Sequence, residues 1–270
     1  MIKSFLLALF GILTLWSCKN VPAIVDEIPE HQTFILKSSN LSEDRVINIW
    51  TPKSYDQNLE KFPVLYMLDG GLKEDFPHIA NTLSELIETK KIQPMILVGI
   101  ENTQRRRDLT GPTTIAKDKE IAPIVGESAK FRKFIKEELF PEINKKYRTT
   151  EKKSIIGESL AGLFVTETFL TEPDLFDNYI AFDPSVWWND HYLMKNTTHY
   201  LSKFPATEKR FWFAGSGATD IQKYTDELSE NLKKTNLPHL KWNYSPEPKE
   251  QHNTIFRATK EKALIWTFGN

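Results

Sequence analysis

The chain has 270 residues, 40% of them hydrophobic and 12% aromatic, which is enough for one large domain with a substantial core. Its net charge of −1 argues against nucleic acid or an anionic membrane surface as an electrostatic partner. A single cysteine excludes an internal disulfide and any zinc site built on several cysteines.

That cysteine is Cys18, and the segment before it accounts for its place. Lys3 precedes an apolar run from Phe5 to Leu15, too short to span a bilayer as a helix but suited to a signal sequence. Leu15-Trp16-Ser17-Cys18 resembles a bacterial lipobox, with an unusual Trp at its second position. The expectation is a signal peptide over residues 1–17, lipidation of Cys18, a tether over 18–30 and one domain over 31–270, with an ordinary signal peptide or a retained N-terminal helix as the alternatives. The protein would then sit in the bacterial cell envelope, held to the membrane by its lipid and facing the periplasm or the exterior.

From residue 32 onward, apolar runs alternate with helical patterns. Residues 32–37 and 45–51 read as two strands joined by the polar turn SSNLSED, hence an antiparallel hairpin. The run PVLYML (63–68) has the continuous apolarity of a strand covered on both faces. Asp75 and Pro77 open a helix in which Phe76, Ile79, Ala80, Leu83, Leu86 and Ile87 recur at helical spacing. PMILVGI (94–100) is the next buried strand, and the polar stretch 101–128 reads as a long loop. A helix over 129–146 follows, then a short strand over 153–157 and an almost wholly apolar helix over 160–170. Strands over 179–183, 211–214 and 240–244 alternate with helical stretches near 190–203 and 220–234, and a terminal helix covers 254–268. This alternation predicts an α/β domain with a mostly parallel sheet and helices on both faces.

The motif GESLAG (157–162) has the G-x-S-x-G pattern of a nucleophile elbow, flanked by the strand and the helix that such an elbow needs. Ser159 is the candidate nucleophile, and the backbone N–H of Leu160, at the positive end of the helix, a candidate oxyanion donor. A structural serine capping that helix is the alternative. A serine needs a base, and the base needs a carboxylate to orient it. In the chain order Ser, acid, His, the base follows the last strand. His31 and His78 precede Ser159, His191 and His199 lie in a helical stretch with a strand still to come, and His239 precedes a strand. His252, in KEQHNTIF, alone fits. Asp220, after the strand 211–214, is the candidate acid; Asp226 and Glu250 remain open, as does a plain capping role for Asp220. The second oxyanion donor is assigned to the N–H of Gly71 in LDGG, just after an early central strand, with a plain turn as the alternative.

FPVLYMLDGG, VGIENTQRRRDLTGP, IIGESLAGLF and FDNYIAFDPSVWWN, with the late Asp-to-His arrangement, together resemble a bacterial esterase family. That family includes esterase D, feruloyl esterases, the antigen 85 mycolyltransferases and the siderophore esterases. The resemblance covers about residues 32–268 and is nearest to the enterobactin-type siderophore esterases. It implies an α/β-hydrolase fold, a Ser-His-acid mechanism on Ser159 and His252, Leu160 and Gly71 as oxyanion donors, and no metal or other cofactor. Some siderophore esterases work as Ser-His dyads, which leaves the acid the least defined member.

For the substrate, Arg105, Arg106 and Arg107 offer guanidinium forks suited to carboxylates or phenolates, and Arg105 and Arg107 are the assigned pair, with a solvated loop as the commoner role of such a run. Trp187 and Trp188 would form an apolar wall for an acyl or aryl group, with simple core packing as the other role open to them. The expected activity is hydrolysis of a small-molecule or oligomeric ester, with acyl transfer by the same residues or a catalytically dead binding protein as alternatives.

Overall fold

The computed structural model describes residues 26–122 and 124–269. The segment 1–25, with the expected signal peptide and the expected lipidation position Cys18, lies outside the described residues.

Eight strands form one sheet in the order β1-β2-β4-β3-β5-β6-β7-β8. They are β1 (Gln32–Ser38), β2 (Glu43–Trp50), β3 (Phe62–Met67), β4 (Ile96–Ile100), β5 (Thr149–Glu158), β6 (Asn178–Phe182), β7 (Lys209–Ser216) and β8 (Leu240–Glu247). The β1–β2 and β2–β4 pairs are antiparallel and all others parallel, as the hairpin and the strand–helix alternation require. The helices are α1 (Phe76–Glu88), α2 (Arg105–Leu109), α3 (Ala116–Ile121), α4 (Ser128–Phe134), α5 (Phe140–Lys146), α6 (Leu160–Thr171), α7 (Trp188–Lys195), α8 (Thr197–Leu201), α9 (Thr219–Thr235) and α10 (Ile255–Phe268).

The apolar strands β3 to β7 are covered on both faces. Alternate residues of β7 show this: Phe211 and Phe213 enter the core cluster under α4 to α6, whereas Trp212 and Ala214 enter the one under α1 and α10. Each fully buried aromatic contributes roughly 1.5–3 kcal/mol of transfer free energy, so the two layers fix which way the sheet faces. Helix α6 is buried nearly all round, which explains its unbroken apolarity.

Three local expectations change. Residues 101–128 contain the short helices α2 and α3. The 129–146 helix is α4 and α5 joined through a π turn over Ile135–Leu139. The 190–203 stretch is interrupted, because Asn189, Asp190 and His191 all have left-handed backbone (φ 50°, 51° and 58°).

Parallel strands place all their carboxyl ends on one edge. The segments after β3, β4, β5, β6, β7 and β8 therefore converge, and the candidate site residues lie in those segments.

Candidate active site

Strand β5 ends at Glu158, and Ser159 follows with φ 60° and ψ −120°, a sparsely populated conformation for a residue with a Cβ. The surroundings hold it there. Its N–H donates to the Phe182 carbonyl (3.0 Å), and its own carbonyl accepts the N–H groups of Leu163 (2.8 Å) and Ser185 (3.0 Å). The flanking glycines allow this crowding. A Cβ on Gly157 would come within 2.7 Å of Ala161, and one on Gly162 within 2.8 Å of the Phe182 carbonyl oxygen. The turn thus has the geometry expected of the GESLAG elbow.

His252 comes from the loop between β8 and α10. Its Nε2 lies 3.0 Å from Ser159 Oγ. Its Nδ1 donates to Asp183 Oδ2 at 2.7 Å. The carboxylate that orients the base is therefore Asp183 and not Asp220, which is a correction. Asp183 immediately follows β6, and its side chain is fully buried. It is saturated by three donors: His252, the Ser216 N–H (2.6 Å on Oδ1) and the Ser216 hydroxyl (2.7 Å on Oδ2). Asp220 sits exposed in the first turn of α9, one strand further along the edge. Asp226 accepts from the Tyr244 hydroxyl (2.7 Å) and Glu250 from Thr254 (2.7 Å), so neither faces the imidazole. The signal for Asp183 is present in FDPSVWWN: a carboxylate at the carboxyl end of a wholly apolar strand beside the nucleophile strand.

These contacts set the electrostatics. The hydrogen bond that His252 donates to Asp183 holds the imidazole above its usual pKa, with the charges of Asp183, Glu158 and Asp220 adding to it against burial. Glu158, next to the nucleophile, is pushed up to about 7, first by burial and then by repulsion from Asp75, Asp69 and Asp183, against the attraction of His252. A second hydroxyl, Ser185 Oγ, stands 3.4 Å from Ser159 Oγ.

Leu160 is the first residue of α6, where a helix leaves its N–H groups without intrahelical partners. Its N–H therefore lies in the first turn of the helix that follows the nucleophile. Gly71 lies in the loop after β3, but its N–H donates to Glu74 Oε2 at 2.7 Å. Glu74 is fixed in turn by Asn102 Nδ2 (2.8 Å on Oε1), and burial pushes its carboxyl up. The second donor is in the right loop and is engaged by a side chain of that loop.

The arginines divide. Arg105 reaches the site edge but forks onto Asp69 (2.6 and 2.7 Å) and approaches the Glu158 carbonyl (3.4 Å). Arg107 does not serve the site, a second correction. It is buried and spends its guanidinium on Glu43 (2.7 and 2.9 Å) and Asp108 (2.7 Å), inside a cluster with Arg45. Arg106 is exposed on α2. Trp188 is buried with its Nε1–H on the Gly111 carbonyl (2.8 Å), and Trp187 is half-buried with its ring 6.0 Å away.

Comparison with known proteins places the chain among esterases. The ferri-bacillibactin esterase BesA of Bacillus subtilis is 33% identical over 196 residues, 65% of this chain; the chain spans 65% of that relative's length. The solved structure of an IroE-like serine hydrolase from Shewanella oneidensis superposes with a TM-score of 0.81 at 27% identity, covering 88% of this chain and 80% of that one. The enterobactin esterase FES of Shigella flexneri shares the fold, with a TM-score of 0.67 at 19% identity over 93% of this chain and 60% of its own. Residues 38–245, which hold the β3 loop, the elbow and Asp183, match the Esterase family model, described as "Putative esterase". With a serine elbow at the carboxyl edge of a 1-2-4-3-5-6-7-8 sheet and this match over most of its length, the chain belongs to that esterase family.

Proposed function

We propose that this protein is a serine hydrolase of carboxylic esters, working through an acyl-enzyme on Ser159. One observation carries the reading: an unbroken chain of hydrogen bonds from Ser159 Oγ through His252 to the buried carboxylate of Asp183. Asp183 fixes the Nδ1–H tautomer, so Nε2 carries the lone pair that accepts the Ser159 proton. Oγ bonds to the ester carbonyl carbon, and the carbonyl π electrons move onto oxygen. The N–H of Leu160 receives that oxyanion, and the N–H of Gly71 joins it once Glu74 is displaced. Each such donor is worth roughly 10²–10³ in turnover. The intermediate collapses, the bond to the alcohol oxygen breaks, and His252 returns its proton to that oxygen. Water, deprotonated by His252, then releases the acid and restores Ser159. The relatives named above support siderophore-type or other aryl and acyl esters as the substrates.

The test is hydrolysis of p-nitrophenyl acetate together with labelling by a fluorophosphonate. Turnover and labelling are expected in the wild type, with Ser159→Ala and His252→Ala each reducing kcat by roughly 10⁴ or more. A wild-type protein that neither turns over nor takes up the label would refute the proposal.

A further inference from the structure

Ser159 Oγ has two polar neighbours, and the base is one of them. His252 Nε2 stands 3.0 Å away and Ser185 Oγ 3.4 Å away. Ser185 is 2% exposed, and its hydroxyl has no further hydrogen-bond partner among the described residues. It comes from the segment FDPSVWWN, two positions after Asp183. The backbone holds it on both sides. Its N–H donates to the Ser159 carbonyl (3.0 Å), and its own carbonyl accepts the Trp188 N–H (3.2 Å). Helix α6 closes on the same turn, since a Cβ on Gly162 would come within 3.1 Å of Pro184 Cα. A buried hydroxyl is therefore fixed beside the nucleophilic oxygen.

Counting protons fixes the direction of this contact. The bond from His252 Nδ1–H to Asp183 leaves Nε2 as an acceptor. The single proton of the Ser159 hydroxyl then points at Nε2. Ser159 Oγ has only lone pairs left to offer, so Ser185 is the donor. At 3.4 Å the bond is long in the resting state, as catalytic hydrogen bonds often are before substrate binds. The charge on Ser159 Oγ changes through the reaction. As His252 takes the proton, Oγ approaches an alkoxide, and an O–H···O⁻ bond contracts to roughly 2.5–2.7 Å and about doubles in strength. In the acyl-enzyme Oγ is an ester oxygen and a poor acceptor. When the second tetrahedral intermediate collapses, the electron pair returns to Oγ as the ester bond breaks. A donor at this place favours those two charged passages over the neutral states around them, which is what raises a rate. It acts on the attacking oxygen, whereas the Leu160 and Gly71 N–H groups act on the carbonyl oxygen.

We propose that Ser185 is a further catalytic residue, whose hydroxyl donates to Ser159 Oγ and stabilises the alkoxide as it forms in acylation and as it leaves in deacylation. This inference rests on the esterase reading above.

The test compares Ser185→Ala with the wild type, and Ser185→Val with Ser185→Thr, two side chains of one shape that differ in the hydroxyl. The readouts are kcat/KM for p-nitrophenyl acetate and the second-order rate of fluorophosphonate labelling, which needs no deacylation. A hydrogen bond to a charged group is worth roughly ten- to a hundredfold, so Ser185→Ala should lose that factor in both rates. Ser185→Val should fall at least tenfold below Ser185→Thr, and that pair decides if Ser185→Ala does not fold. A third readout follows the charge itself. In a Ser159→Cys background, the pH dependence of iodoacetamide alkylation at position 159, read by peptide mass, gives the thiol pKa. Adding Ser185→Ala should raise it by about one pH unit, the equivalent of a tenfold loss, whereas a role confined to packing would leave it unmoved. Rates within twofold of the wild type in Ser185→Ala, equal rates in the Val and Thr variants, or an unmoved thiol pKa overturn the assignment and leave the esterase reading intact. A wild type with neither turnover nor labelling overturns both.

Discussion

Replacing Asp183 by Asn separates the two candidate acids. In the structure Oδ1 accepts the Ser216 N–H, while Oδ2 accepts both the Ser216 hydroxyl and the His252 Nδ1–H. The backbone N–H can only donate, so the oxygen of the introduced amide must take the place of Oδ1. The amide NH₂ then takes the place of Oδ2 and donates to both the hydroxyl and Nδ1. His252 is driven to the other tautomer, with its proton on Nε2 facing Ser159. In that form it cannot accept the serine proton, and a loss on the order of 10⁴ in kcat is expected near neutral pH. Hydrogen bonding is otherwise conserved, so the fold and Tm should hold. The charge that raises the His252 pKa is also lost, so the acid limb of the kcat/KM profile should move to lower pH. Asp220→Asn, on the exposed first turn of α9, should stay within about twofold of the wild type. The assay is p-nitrophenyl acetate hydrolysis from pH 5 to 9 with all three proteins. The reasoning fails if Asp220→Asn loses as much as Asp183→Asn, or if Asp183→Asn stays within tenfold of the wild type.

Glu158→Gln removes a carboxyl that titrates near 7 and, once ionised, favours protonated His252, so the acid limb of the pH–rate profile is expected to shift slightly to lower pH; a limb raised to higher pH would contradict the placement of Glu158. Asp108→Ala leaves the buried Arg45 guanidinium without its 2.6 Å partner, and a loss of about 3–5 kcal/mol is expected, read as a fall in Tm of roughly 10 °C. A change within one degree would show that Glu43 alone satisfies that charge.

The sheet was legible because strands covered on both faces are continuous apolar runs, and β3, β4 and β6 have that form. The elbow was legible because its glycines answer to steric demands that no other residue meets. His252 followed from chain order alone. Asp183 escaped because the sequence shows where a strand ends but not which strand end comes nearest the imidazole. The pattern 179–183 places Asp183 last in its strand, whereas it is the first residue of the loop. Arg107 escaped for a different reason. Its partner Glu43 lies 64 positions earlier, on the hairpin, and a run of three arginines carries no mark of which one turns inward. The left-handed residues 189–191 are likewise set by tertiary bonds, among them the Asn189 N–H to Asp118 (3.0 Å).

The backbone bonds around Ser159 have a mechanical meaning. Nucleophile and acid belong to one stitched body, because Ser159 bonds to Phe182 and Ser185 on either side of Asp183, and the Asp183 N–H bonds on to Ala214 in β7 (3.0 Å). His252 belongs to another piece, a surface loop whose side chain is 44% exposed and whose tie to the sheet edge includes the Gly217 N–H to Glu250 carbonyl bond (3.1 Å). Opening that loop costs far less than unfolding the sheet. The base is thus the member of the three whose position depends on loop bonds, while the serine and the carboxylate are placed by the sheet itself.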